Sequence, residues 1–252
     1  MNTAGGGHYD SLFILPLVIA WLVFFATPTK TNKQQAPQQQ TSYKYLLGAL
    51  CIGISIAIKW ISLPILAWAV WRAYHKVNLK TAFLVGVLGI LPMILSSLFF
   101  CSPSACSLVP VDSDFVSKGR SATFLPYFLA NIWQYSTTTN SIFALPLGLG
   151  TLYLLWKRSR YYLFSQDYFY LLLLISPIIH GWYFTWIVPF GVATQNWGIR
   201  LLSISSIIYF MLPYREALGQ GEWQLNLMET LCLWIPFVIG YFWQDSRTSR
   251  SS

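Results

Sequence analysis

"YLLGALCIGISIAIKWISLPILAWAVWR", residues 45–72, is the stretch on which the fold turns. It runs for about 28 residues, enough for one long transmembrane helix or for two short ones meeting at the polar "KWISLP". Its flanks bear on the choice. The basic, Gln-rich "KTNKQQAPQQQTSYK" precedes it and "RAYHKVNLK" follows it. Lys and Arg in short loops mark the cytoplasmic side. A single crossing would put these two loops on opposite sides. Two antiparallel arms, residues 45–58 and 61–72, keep both inside. Each arm is about 14 residues and about 21 Å long, short of the roughly 30 Å hydrocarbon core. Lys59 then stands at the base of an outward-facing recess, where an ammonium needs a partner or an anionic ligand. One long helix kinked at Pro64, with Lys59 snorkelling to the surface, is equally compatible with the residues.

The rest of the chain places this hairpin in a polytopic helical membrane protein. Of 252 residues, 55% are hydrophobic and only 10% are charged, and mean hydropathy is +0.51. A soluble domain carries about a quarter charged residues. The apolar runs are continuous rather than alternating, which disfavours a barrel. The net charge of +8 would suggest nucleic acid in a soluble protein. Here it is accounted for by cytoplasmic loops, and no nucleic-acid partner is expected. Cys51 and Cys232 lie in apolar runs and read as packing residues. Cys101 and Cys106 flank a predicted external loop, as a disulfide or as two free thiols. No CxxC or His/Cys cluster points to a metal.

Four segments are rich in Lys and Arg: residues 30–44, 72–80 and 157–160, and the tail with Arg247 and Arg250. Holding all four inside gives about nine membrane segments, two of them half-length, with the C-terminus cytoplasmic. Apolar runs are expected over residues 12–27, 81–100, 141–156, 161–179, 184–194, 201–214 and 225–243, besides the two arms. Residues 101–140, with the aromatic "FLPYFLANIWQY", read as the longest polar connection. The external face then carries "GGGHYD", Lys59, the connection with Asp112, Asp114, Lys118, Arg120 and Asn131, and His180, Trp182 and Tyr183 of "HGWY". An outward pocket with a cation at its base and aromatics around it suits a lipid-linked, phosphate-bearing substrate. Interfacial aromatic belts are the plainer account of the Trp and Tyr residues.

These stretches resemble a family. "GGGHYDSLFILPLVIAW", "AIKWISLPILAW", "SPIIHGWYFTWIVPF" and "GEWQLNLMETLCLWIPF" are similar, in order, to the later half of polyprenyl-phosphate-dependent glycosyltransferases of the GT-C superfamily, closest to bacterial mannosyltransferase-like members. The carriers are Gly7, His8 and Asp10 opening a helix; Lys59 followed by Pro64; Ser176, Pro177, His180, Trp182, Tyr183, Trp186 and Pro189; and Glu229. Gly181 replaces the proline usual after the histidine. The resemblance implies a multi-pass enzyme of a bacterial inner membrane. It would take a sugar, mannose in the nearest members, from a polyprenyl-phosphate donor at the external face and pass it to a lipid or glycan acceptor. His8, Lys59, His180, Trp182 and Tyr183 would bind substrate. Family members carry the catalytic carboxylate in a first external loop with no counterpart here. The chain is therefore expected to be the later portion of a longer or split enzyme, with an upstream-encoded partner half.

Activating an acceptor hydroxyl needs a base, because an alcohol is a poor nucleophile at neutral pH. Asp10 is the candidate, and an N-cap of the first helix is its other reading. Asp112 and Asp114 read as solvated loop residues, with a divalent-metal site as the alternative; no cofactor is indicated. Arg200 reads as a topology determinant, and His75 has no implied role. A non-catalytic membrane protein, such as a lipid or glycan transporter or an assembly subunit, is the competing reading. It would call for repeat symmetry, which the sequence lacks.

Overall fold

The computed structural model describes residues 12–25, 37–100, 117–220 and 223–248. They are all-helical, with no strand among them. The helices are α1 (Ile14–Phe25), α2 (Pro37–Ile58), α3 (Leu63–Lys76), α4 (Leu79–Phe100), α5 (Leu125–Ile132), α6 (Ala144–Lys157), α7 (Tyr161–Ile175), α8 (Val188–Thr194), α9 (Trp197–Ser205), α10 (Met211–Ala217) and α11 (Leu227–Thr248). Tight 3₁₀ turns sit between several of them. Among the described residues, three stretches are long and apolar enough to cross a bilayer: Thr41–Ile58, Leu79–Leu98 and Trp197–Ala217. Ile14–Phe25 and Leu227–Trp243 are shorter apolar helices. The chain divides into two compact units, Met1–Val109 with Tyr153–Ser165, and Pro110–Leu152 with Gln166–Ser252.

The first unit is built on the hairpin. The ring of Phe24 in α1 lies 5.5 Å from Tyr45 of α2 and 5.7 Å from Trp68 of α3. In one continuous helix those two residues would be about 34 Å apart. The chain therefore folds back between them, and the single kinked helix is excluded. Serine hydroxyls hold the fold-back. Ser55 Oγ donates to the Phe13 carbonyl (2.8 Å), so the 2.7 Å contact between Ser55 Oγ and Ser62 Oγ is a bond that Ser62 donates. The second arm is 14 residues long, as the sequence suggests. The first arm differs: α2 begins at Pro37 and has 22 residues, because the Gln-rich stretch before Tyr45 continues the helix instead of looping. It is a full-length helix, not a half-length one.

α4 lies against both arms. A Cβ added to Gly53 would come 2.6 Å from the Gly89 carbonyl oxygen, and one added to Gly89 would meet the Leu66 side chain. Small residues let the helix backbones approach closely, as in membrane helix pairs. Trp68 Nε1 and Arg72 Nη2 both donate to the Arg158 carbonyl, at 3.0 and 2.7 Å. That bond docks the basic turn after α6 onto the last turns of α3. Two of the basic segments are thus in contact, at the end of α3 opposite Lys59.

The second unit packs around α7, whose residues Gln166–Tyr170 are all buried. Asp167 accepts from Tyr241 Oη, Gln166 Nε2 donates to the same hydroxyl (3.1 Å), and Thr194 donates to Gln166 Oε1. This network ties α7 to α8 and α11 and satisfies the buried carboxylate. α8 ends on Gln195 in the left-handed region (φ 55°), and Asn196 Oδ1 caps α9 by accepting from Ile199 N–H. α9 crosses α11 where Gly198 meets Gly240: a Cβ on Gly198 would lie 2.4 Å from both Phe237 O and Tyr241 N. α11 opens with a reciprocal cap. Glu229 accepts from Asn226 N–H, Asn226 Oδ1 accepts from Glu229 N–H, both at 2.9 Å, and Arg215 pairs with the same carboxylate.

Several expectations shift. The aromatic part of the predicted polar connection forms a helix, α5, and among the described residues of that connection 119–124 and the turns after α5 are irregular. Cys232 is exposed rather than packed, and Cys51 is half-buried. His75 stacks edge-on against Trp71 and Tyr74, and Arg200 lies over the Trp197 ring at 4.9 Å.

Candidate functional site

In the first unit, Lys59 interrupts the hairpin in extended conformation (φ −150°, ψ 111°). Its N–H donates to the Ser55 carbonyl (2.8 Å), and its own carbonyl accepts from Ser62 N–H (3.3 Å). The helix stops there because Pro64, two residues into the next helix, fits only a first turn. Lys59 is half-buried, and Trp60 beside it is exposed. Among the described residues of this unit, the other lysines and arginines (Lys44, Arg72, Lys76, Lys80, Lys157, Arg158 and Arg160) belong to the opposite, basic end. Lys59 is the cation at the Phe13–Ser62 end. Along α3 and α4 runs an apolar groove of about 770 Å³, lined by Leu66, Val70, Phe83 and Val87 among others.

In the second unit, His180, Trp182 and Tyr183 form one cluster. The 3₁₀ helix Gly181–Trp186 places every third side chain in register. His180 meets Tyr183 edge-on at 5.4 Å, and Tyr183 stacks on Trp186 at 3.9 Å. Trp182 stacks flat on the imidazole, 4.5 Å and 9° apart. His180 Nδ1 lies 3.2 Å from Tyr209 Oη. Tyr209 comes that near because position 181 is glycine: a Cβ there would be 2.7 Å from its ring. The proline expected at 181 would meet the same ring.

The segment before His180 is held by a serine that the sequence did not single out. Ser121 Oγ accepts from Ile179 N–H (2.7 Å) and donates to Ile179 O (2.6 Å). Next to it, Arg120 donates to the Ser136 carbonyl and rests over the Phe143 ring at 5.2 Å. Burial pushes the Arg120 pKa below its usual range. Tyr209, Ser121 and Ser136 carry no periodicity or motif signal, because their partners lie far away in sequence. Lys118 and Asn131 are exposed, the latter bonded to the Tyr127 carbonyl (3.0 Å).

The predicted residues thus divide. His180, Trp182 and Tyr183 come together in one unit, and Lys59 stands at the hairpin turn of the other. His8 and Asp10 lie outside the described residues, as do Cys101, Cys106, Asp112 and Asp114. Among the described residues no group of three His, Cys, Asp or Glu side chains could hold a metal. Glu229 is taken up by the cap of α11 and by Arg215. Chemically, the first unit offers an ammonium beside apolar surface. The second offers an imidazole between aromatic faces, suited to hydrogen-bond a sugar hydroxyl or phosphate and to stack on a sugar ring. No family profile, curated protein or solved structure matches the chain.

Proposed function

We propose that the chain is a multi-pass membrane glycosyltransferase module of the GT-C type, with about nine membrane segments and a cytoplasmic C-terminus. It acts on a polyprenyl-phosphate-linked sugar, mannose or a similar hexose, at the external face of a bacterial inner membrane. The acceptor is a lipid or glycan hydroxyl. A carboxylate base takes the hydroxyl proton, with Asp10 the candidate. The acceptor oxygen bonds to the anomeric carbon, the bond from that carbon to the phosphate oxygen breaks, and the lipid phosphate departs with the electron pair. The resemblance assigns Lys59 to neutralising a phosphate, and His180, Trp182 and Tyr183 to holding a sugar.

The observation that carries this reading is the segregation of charge in the hairpin unit. Its described cations gather at the basic end, and Lys59 stands at the other, where the serine-braced turn fixes it. A lysine at such a position is expected to meet an anion. The resemblance of the Lys59–Pro64 and His180–Pro189 stretches supports the same assignment.

The test uses the full chain in nanodiscs with radiolabelled polyprenyl-phosphate mannose. Donor retention should fall about tenfold or more in Lys59→Ala, as expected for losing a charged hydrogen bond, and recover partly in Lys59→Arg. His180→Ala should reduce retention of the mannosyl donor while leaving the sugar-free polyprenyl phosphate bound. Equal retention by both alanine variants and the unchanged chain sinks the site. Movement of the donor between leaflets without sugar-dependent retention favours a transporter instead.

A further inference from the structure

The second unit has a cleft that the sugar-transfer reading does not use. It forms where α9 crosses α11. A Cβ on Gly240 would lie 2.8 Å from Gly198 Cα, so the two backbones touch there. Ser205 Oγ donates to the Leu233 carbonyl (2.7 Å), so the helices run antiparallel from that crossing. With no side chain at the crossing, the larger residues around it stand as walls: Trp197 and Leu201 on α9, and Ile235, Ile239 and Trp243 on α11. They bound about 560 Å³, within the range of ordinary ligand pockets. Ile235, Ile239 and both tryptophans are exposed. The tryptophans stand at the same end, because Trp197 opens α9 and Trp243 lies beyond Gly240 on its antiparallel partner.

A cation stands at that end, on a residue of the wall itself. The Arg200 guanidinium lies over the Trp197 ring at 4.9 Å. Positions three and four apart share a helix face, so Arg200 flanks the opening that Trp197 and Leu201 line. Arg200 is exposed, which leaves its N–H groups open to a ligand. No carboxylate among the described residues pairs with it: Asp167 is held by Tyr241 and Glu229 by Arg215. Yet it lies inside the apolar stretch Trp197–Ala217, about 4.5 Å along the axis from its end. A cation within a span is expected to meet an anion, and a stacked guanidinium is suited to phosphate oxygens. The apolar walls beside it call for hydrocarbon on the same molecule.

We propose that this cleft binds an anionic membrane phospholipid. Its phosphate is met by Arg200, and one of its acyl chains lies along Leu201, Ile235 and Ile239. Trp197 and Trp243, at the ends of their apolar helices, sit where aromatic side chains mark the headgroup level of a bilayer. Arg200 thus does more than set topology. The occupant is a resident lipid and not the sugar donor, so the inference stands whether or not the chain transfers sugar.

Photocrosslinking of the full chain in detergent tests it. The probe is a phosphatidylglycerol with a diazirine in its acyl chain, and labelled peptides are mapped by mass spectrometry. Label should fall on residues 197–205 and 235–243. Unlabelled dioleoyl phosphatidylglycerol should displace it at concentrations where dioleoyl phosphatidylcholine does not. Arg200→Gln should weaken that labelling about tenfold or more, as expected for losing hydrogen bonds to a charged group, and Arg200→Lys should keep most of it. Lys80→Gln, at an exposed position of the first unit, should leave it unchanged. Ile239→Trp fills the cleft with Arg200 intact and should abolish it, whether or not Arg200→Gln folds. Cleft labelling at the unchanged level in Ile239→Trp or in a folded Arg200→Gln overturns the proposal. So does an equal loss in Lys80→Gln, which would reduce Arg200 to general surface charge. Equal displacement by phosphatidylcholine would make the cleft merely greasy, and displacement by inorganic phosphate at equal concentration would make it a free-phosphate site; either overturns it.

Discussion

The two units solve one problem in two ways. Each holds a polar residue at a break in helical structure, Lys59 in the first and His180 in the second, and each braces the break with serine, the Ser55–Ser62 pair in the first and Ser121 alone in the second. Ser55 braces the hairpin by donating to the Phe13 carbonyl. Phe13 immediately precedes α1, so that carbonyl also opens the helix's own ladder. Ser121 bonds both the N–H and the carbonyl of Ile179, which lies in no helix and is fully buried. The first serine therefore adds a bond to backbone that is already paired. The second replaces the secondary structure that its segment lacks. A helical break costs little where neighbouring helices supply the bonds, and much more where one side chain must supply them all.

The helix crossings differ in the same sense, and they give the largest predicted effect. Gly198 faces three backbone atoms of α11 within 2.7 Å of where a Cβ would sit. Gly53 faces one, the Gly89 carbonyl at 2.6 Å, and otherwise the edge of Pro92 at 3.0 Å. Backbone cannot rotate away as a side chain can. Gly198→Ala should destabilise by about 3 kcal/mol, at the upper end of overpacking costs, and Gly53→Ala by about half that. Thermal unfolding in detergent, followed by circular dichroism, ranks them. Equal effects would mean that the two crossings are equally compliant and would remove this half of the contrast.

How much of this was legible in the sequence follows from the range of the forces involved. The break was legible because Lys59 with Pro64 marks it locally, but the choice between a hairpin and one kinked helix stayed open until the contacts of Phe24 with both arms decided it. The His180 cluster was legible because its members are neighbours in sequence. The length of α2 was not, since a Gln-rich run reads as loop although glutamine is a good helix former. α5 was hidden inside an aromatic stretch between polar residues. The break at Ser206–Phe210 leaves no periodic trace, whereas the apolar run expected to end at residue 194 does end there. Ser121, Ser136 and Tyr209 depend on contacts across 58, 16 and 29 positions, which no local pattern reveals.

The serine contrast yields the second prediction. Ser121→Ala leaves a buried N–H and a buried carbonyl of Ile179 without partners, at about 1–3 kcal/mol for each unsatisfied group. Ser55→Ala removes one bond from a carbonyl that keeps its helical partner and one acceptor from Ser62. Its expected cost is about 1 kcal/mol, in the range of hydrogen bonds between membrane helices. Ser121→Ala should also speed hydrogen exchange at Ile179 by the factor corresponding to its destabilisation, whereas Ser55→Ala should leave the Leu17 amide protected. A Ser55→Ala variant as unstable as Ser121→Ala would show that the hairpin depends on its serine as the His180 segment does.

The smallest effect has the opposite sign and isolates the packing argument from helix propensity. Gly148 lies within α6, and a Cβ there would meet nothing within 4 Å. Gly198 and Gly53 are also helical, so alanine at all three positions carries the same intrinsic gain of about 1 kcal/mol over glycine. Only at 148 is that gain unopposed. Gly148→Ala should therefore raise stability by about 0.5–1 kcal/mol, less the share of the gain that a partly apolar surround already supplies. In the double variant with Gly198→Ala the gain should persist unchanged, because the two positions share no partner and such changes add. Loss of stability in Gly148→Ala alone would mean that open space around a helical glycine does not predict tolerance. The costs at Gly198 and Gly53 would then need a cause other than backbone contact.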